Sequence, residues 1–105
     1  MNLELSIKLI KELEKSPDKS QRALSKICGV SLGAVHYCLQ ALIEKGYVKA
    51  QNFKNAHNKL AYAYILTPAG INLKKELTIA FLRRKQAEYE ALQEEIKALE
   101  EDLAQ

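Results

Sequence analysis

The stretch at residues 20–48, SQRALSKICGVSLGAVHYCLQALIEKGYV, decides the fold. Two helical patterns flank a glycine, and a serine precedes each. Ser20 is a good N-cap for a helix over Gln21–Cys28, with Ala23, Leu24 and Ile27 as its inner face. Gly29 suits the left-handed residue that ends a helix, and Val30 plugs the turn. Ser31 caps a second helix over residues 32–45, whose inner positions are Val35, Cys38, Leu39, Leu42 and Ile43. Gly46 closes that helix as Gly29 closes the first. Two short helices joined by a tight glycine turn read as a helix-turn-helix.

Upstream, Leu3, Ile7, Ile10 and Leu13, with Leu5 and Leu9 beside them, repeat at helical spacing and predict a helix over Leu3–Lys15. Asn2 is its expected cap. Ser16-Pro17 ends it, because a residue before proline avoids the α region. Downstream, residues 47–53 and Leu60–Leu66 read as strands. In the second, LAYAYIL, Leu60, Tyr62, Tyr64 and Leu66 alternate with Ala61, Ala63 and Ile65. Between them KNAHNK, residues 54–59, has no large apolar group and reads as a solvated hairpin tip. Thr67-Pro68 then opens a last helix over residues 69–104, with Thr as cap and Pro at the first helical position. The expected fold is α+β. A winged helix-turn-helix occupies residues 1–68, and a long C-terminal helix, residues 69–105, serves coiled-coil dimerisation.

At 105 residues the globular part is small, and a partner would add burial. No segment approaches a membrane span of ~20 apolar residues, and the N-terminus has charges through its apolar pattern, so a cytoplasmic protein is expected. Cys28 and Cys38 both fall at inner positions and are expected to be reduced core thiols; their spacing matches no zinc motif. Charge is divided unevenly. Residues 1–85 carry 15 Lys+Arg against 6 acids, and residues 86–105 carry one Lys against 7 acids. A basic body suits a polyanion, and an acidic tail should point away from it.

Those features make the second helix of the pair a reading head for double-stranded DNA. Its outward positions are Gly33, Ala34, His36, Tyr37 and Gln40, with Ser31 at the N-terminus where a phosphate can be held. Gln40 can pair with adenine in bidentate fashion, and small residues at 33 and 34 let the helix sit close in the groove. In the wing, Lys54, Asn55, His57, Asn58 and Lys59 offer donors to a phosphate backbone or a minor groove, with Lys49 on the strand leading in. Arg22 and Lys26 are candidate anchors for flanking phosphates. Tyr47, Tyr62 and Tyr64 read as a sheet face packed on the helices. No catalytic constellation, metal site or cofactor motif stands out, so an enzyme is not expected.

The tail has a heptad-like seam. Tyr89, Leu92, Ile96, Leu99 and Leu103 are spaced by threes and fours, and a second copy of the chain would cover them. Before the seam weakens at Lys85, Ile71, Leu73, Leu77, Ala80 and Phe81 form a broader stripe expected to pack on the chain's own domain. An adaptor that recruits a protein through this acidic tail is the alternative to a DNA-binding regulator.

Ala23-Leu24-Ser25, Gly29-Val30-Ser31, Val35, Leu39, Leu42 and Glu44-Lys45-Gly46-Tyr47-Val48 together resemble the MarR-type winged-helix repressors. Leu66-Thr67-Pro68-Ala69-Gly70 is similar to the L-T-P-x-G that follows the wing in that family. Residues 37–70 with the acidic tail resemble a short bacterial subgroup associated with exopolysaccharide (EPS) gene clusters. The resemblance implies a homodimer on a pseudo-palindromic operator, with Ser31, Gly33, Ala34, His36, Tyr37 and Gln40 on the DNA-facing helix. It places Lys54, Asn55, Asn58 and Lys59 at the wing tip. The chain differs in having one tail helix, no Asp/Arg pair in KNAHNK and no Arg near Tyr37. A small-molecule effector is left open by those differences.

Overall fold

The computed structural model describes residues 2–54, residue 57 and residues 60–105. Three helices come first: α1 (Leu3–Lys15), α2 (Gln21–Cys28) and α3 (Leu32–Glu44). An antiparallel hairpin of β1 (Val48–Lys54) and β2 (Leu60–Leu66) follows, and α4 (Pro68–Ala104) runs to the end.

Each helix begins where a side chain satisfies free backbone N–H groups. Asn2 Oδ1 accepts from Leu5 N at 3.0 Å, Ser20 Oγ from Ala23 N at 3.1 Å, and Ser31 Oγ from Ala34 N at 3.1 Å. Between α2 and α3, Gly29 is left-handed (φ 68°), and the Ser25 hydroxyl donates to Val30 O, which pins the turn. The two helices meet at 110°, within the range of a helix-turn-helix.

The core lies where α1, α2, α3 and the base of the hairpin converge. Leu9, Ile10, Leu24, Val35, Leu39 and Leu42 are fully buried, and Tyr64 reaches in from β2. Helix α2 buries Leu24 and Cys28, whereas Ile27, expected inside, is half exposed. In so short a helix the buried stripe is narrow, and Ile27 sits one step off its edge.

α3 ends at Glu44, with Lys45 as its cap, one residue before the expected end. β1 starts at Val48 because the Tyr47 N–H is already used, donating to Leu42 O at 2.9 Å to close α3. The hairpin register runs from Val48↔Leu66 to Lys54↔Leu60. The N–H of Tyr64 donates to Pro17 O at 2.9 Å, which ties the hairpin to the end of α1. Tyr47 is half-buried, but Tyr62 is exposed and does not pack on the helices as expected.

The junction into α4 explains the sequence LTPAG. The Thr67 N–H donates to Tyr47 O at 3.1 Å, its hydroxyl donates to Gly46 O at 2.6 Å, and the same oxygen accepts from Gly70 N at 3.1 Å. Pro68 sits at the helix start, where its missing N–H costs nothing. A Cβ on Gly70 would stand 2.1 Å from Tyr47 O, so this close approach admits only glycine.

Along α4, Gly70 is buried and Leu73, Leu77 and Phe81 are half-buried, while Lys74 forms an ion pair with Glu14 of α1 at 2.8 Å. Ile71 and Ala80, expected in the same stripe, are exposed instead. Beyond Phe81 every residue is exposed. The helix therefore projects from the domain and stretches the molecule to 71 × 26 × 21 Å.

Candidate nucleic-acid interface

On α3 the inner residues Val35, Cys38, Leu39 and Leu42 anchor the helix, and the opposite stripe is left to solvent. Gly33, His36, Tyr37 and Gln40 are all exposed, Tyr37 at 78%. Ala34, expected on the same face, is half-buried and packs against the core, so its reach outward is limited. Ser31 is exposed at the N-terminus, with its hydroxyl engaged as the cap.

Gly33 is informative. Its φ is not in the left-handed region, and a Cβ built on it meets nothing closer than Ser31 Oγ at 4.0 Å. Glycine inside a helix costs about 1 kcal/mol relative to alanine. The fold does not ask for glycine here. A surface that must approach this turn closely would.

α2 supplies the basic flank. Arg22 and Lys26 stand one helical turn apart and are exposed; with Ser25 and Leu32 they line a depression of about 410 Å³ at the start of α3. The free N–H groups and positive end of the α3 dipole add to those charges, a setting suited to an anionic group.

The structure adds one residue that has no distinguishing mark in the sequence. Gln21, at the first position of α2, donates from Nε2 to the Tyr64 hydroxyl at 3.1 Å, and its Oε1 lies 3.3 Å from His36 Nδ1. His36 on the exposed face is thus linked through Gln21 to a tyrosine seated in the core. With a proton on Nδ1, His36 donates to that oxygen, which fixes the orientation of its ring on the exposed face.

In the wing, Lys49 is exposed on β1 and His57 is exposed at the turn. Lys54 ends β1, while Asn55, Asn58 and Lys59 lie outside the described residues. Asp18, Ser20, Gln21, Ala61, Tyr62 and Tyr64 line a cleft of about 380 Å³ between the start of α2 and the wing.

The cysteines belong to the interior. Cys28 and Cys38 are 5% and 4% exposed, and the Cys38 sulfur lies 3.5 Å from the buried Ser6 hydroxyl. Desolvation pushes the Cys28 thiol above its ordinary value, with the neighbouring Lys8 opposing in part. Among the described residues, no three His, Cys, Asp or Glu side chains gather as a metal site would need. No single helix among them is long and apolar enough to cross a membrane.

Comparison with known proteins agrees with this geometry. Residues 3–49 match the family model of winged helix-turn-helix DNA-binding domains, which covers α1, α2, α3 and the start of β1. No curated protein matches the chain. Among solved structures, the chain is similar to a MarR/EmrR family transcriptional regulator from Acinetobacter sp. ADP1. That match has 29% identity and a TM-score of 0.59, over 78% of this chain and 57% of that one. The PcaV transcriptional regulator of Streptomyces coelicolor, solved with its natural ligand, matches at 16% identity and a TM-score of 0.63, over 78% of this chain and 57% of its own. The MarR family regulator SP03579 matches 95% of this chain and 72% of its own length, at 15% identity and a TM-score of 0.60. The chain thus spans 57% of the length of the first two relatives. Its fold is the winged helix-turn-helix with a long C-terminal helix that MarR-type transcriptional regulators share.

Proposed function

We propose that this chain is a MarR-type transcriptional regulator that binds duplex DNA as a homodimer, with α3 in the major groove and the wing alongside. The observation that carries the reading is the stripe Gly33, His36, Tyr37 and Gln40. It is exposed and free of large aliphatic groups, and it lies on the second helix of a pair crossing at 110°. Gln40 and His36 read base edges, and Gly33 lets the helix seat closely. Arg22 and Lys26 hold a phosphate beside the start of α3. Lys49, Lys54, Asn55, His57, Asn58 and Lys59 track the backbone along the wing, and counterion release supplies the affinity that is independent of sequence.

Residues 1–68 act as the DNA-binding unit and residues 69–105 as the dimerisation helix, with Tyr89, Leu92, Ile96, Leu99 and Leu103 at the interface. The resemblance of residues 37–70 to the EPS-associated subgroup makes bacterial exopolysaccharide operators the first targets.

Fluorescence anisotropy on DNA from upstream of the protein's own gene tests this, against a shuffled duplex of equal composition and across salt. Gln40→Ala is expected to cost about 1–3 kcal/mol on the native fragment and little on the shuffled one. Lys26→Ala should weaken both alike and lower the salt slope by about one. Equal losses on both duplexes for both variants would remove α3 as the reading element. Equal, weak binding of the unaltered protein to both duplexes would turn attention to the acidic tail as a protein-recruiting arm.

A further inference from the structure

Helix α4 presents two separate apolar stripes. One, Gly70, Leu73 and Leu77, lies against the chain's own domain. The other is rotated away from it and uncovered. Tyr89, Leu92, Ile96, Leu99 and Leu103 recur at steps of three and four, Leu82 stands seven residues before Tyr89, and all six are 47–88% exposed. That spacing is a coiled-coil seam, and it reaches further back than Tyr89. Its omitted steps fall on Lys85 and, further back, on Thr78 and Lys75.

The same helix is electrically polar. Residues 74–85 carry five basic side chains (Lys74, Lys75, Arg83, Arg84 and Lys85) against Glu76. Residues 88–102 carry seven acids against Lys97. A parallel, in-register pair of such helices would set Lys75 against its own copy and Lys85 against its own copy across the seam. It would also lay one run of seven acids along another. The heptad frame places Glu95 and Glu100 on the two flanks that pair across a parallel interface, a like-charge contact. Turning one helix end for end brings the basic stretch of each beside the acidic stretch of the other. Opposite charges then replace like ones along the flanks, while in the seam Leu82 meets Leu92, and Lys75 and Lys85 lie against Leu99 and Tyr89 instead of against their own copies.

Resting on the reading of α4 as a dimerisation helix, we propose that it pairs with α4 of a second copy of this chain in antiparallel orientation, residues 74–85 of each lying along residues 88–102 of the other. The two winged helices then sit at opposite ends of a shared rod, and the C-termini point away from each other.

Two measurements on the full chain test this. Sedimentation equilibrium across a salt series reads the sign of the electrostatics. An antiparallel dimer weakens several-fold from about 50 mM to 500 mM salt, because screening removes attraction; a parallel one tightens, because screening removes repulsion. Second, a cysteine appended after Gln105 carries a spin label, while the native thiols at 5% and 4% exposure remain unlabelled. Antiparallel pairing places the two labels more than about 30 Å apart by helix rise, whereas parallel pairing brings them within about 20 Å. A short distance, or a dimer that tightens with salt, overturns the orientation and leaves the dimeric regulator standing. A chain that stays monomeric at every salt overturns both.

Discussion

The winged domain and the far half of α4 contrast in where they keep their apolar side chains. In the domain, Leu9, Ile10, Leu24, Val35, Leu39 and Leu42 are wholly buried. In the tail, Leu92, Ile96, Leu99 and Leu103 are 53%, 47%, 63% and 88% exposed. Both segments have similar aliphatic chemistry and clear helical periodicity. What differs is whether the chain itself brings a second surface. The domain closes on itself because three helices and a hairpin converge. The tail is one helix, with its seam facing water. Local sequence decides that a helix forms; neighbouring chain decides whether its apolar stripe is a core or an invitation.

The sharpest way to break that contrast is to make the same truncation in both places. Leu39→Ala is expected to cost about 2–5 kcal/mol of folding stability in urea denaturation, since it leaves a cavity among packed neighbours. Leu99→Ala should leave the unfolding of the winged domain unchanged and act on self-association alone. If both variants lose equal stability as monomers, the tail has a partner within its own chain.

A charge in the seam sharpens it further. Ile96→Lys should preserve the circular dichroism of the fold while weakening the dimer at least about 100-fold, because two copies would bury an unpaired ammonium. Light scattering against concentration reads this, and an unchanged dimer would place the interface elsewhere.

A smaller effect is expected at Gly33, where stability and function should part. Gly33→Ala should raise folding stability by about 0.5–1 kcal/mol, because nothing lies where the new methyl goes. Affinity for operator DNA should fall in the same variant. A variant both more stable and equally tight on DNA would show that the glycine serves no approach.

The smallest effect is electrostatic. Glu12 accepts from Lys19 at 2.7 Å, and that bond, aided by the charges of Lys19 and Lys15, holds its carboxyl below the ordinary value. A lowered folded value favours the folded state above the ordinary carboxylate range, and this contribution is lost as pH falls through the folded value. Lys19→Ala should therefore flatten the acid limb of the stability profile slightly while leaving neutral-pH DNA binding intact.

Much of this architecture is legible in the sequence because its signals are local. Asn2, Ser20, Ser31 and Thr67 each precede a helix and each caps one through its side chain. Gly29 and Gly46 adopt the positive φ that their places call for. Interior positions that depend on orientation are less legible. Ile27, Ala34, Ile71 and Ala80 fit an apolar period, yet which edge of a stripe meets the core depends on how helices cross. Gln21 was invisible for a related reason: its partners lie 15 and 43 residues away, and glutamine at the start of a helix has no distinguishing mark. Gly70 could be noticed in a pattern, but its reason, a carbonyl 2.1 Å from where a methyl would go, belongs to tertiary approach.

That junction also has a mechanical meaning. Thr67 bonds to both Gly46 and Tyr47, the residues that close α3, so the base of α4 and the end of the exposed helix are clamped with no spacer. The part of α4 beyond Phe81, residues 82–104, is gripped only at its base and is a lever about 35 Å long. Moving its tip by about 10 Å turns the base through roughly 17°, by that same length. Whatever holds the distal end of the tail thereby aims the face of α3, and gearing runs the other way too. Seating α3 in a groove of fixed pitch would swing the far end of the rod through a distance several times larger than the adjustment at its root.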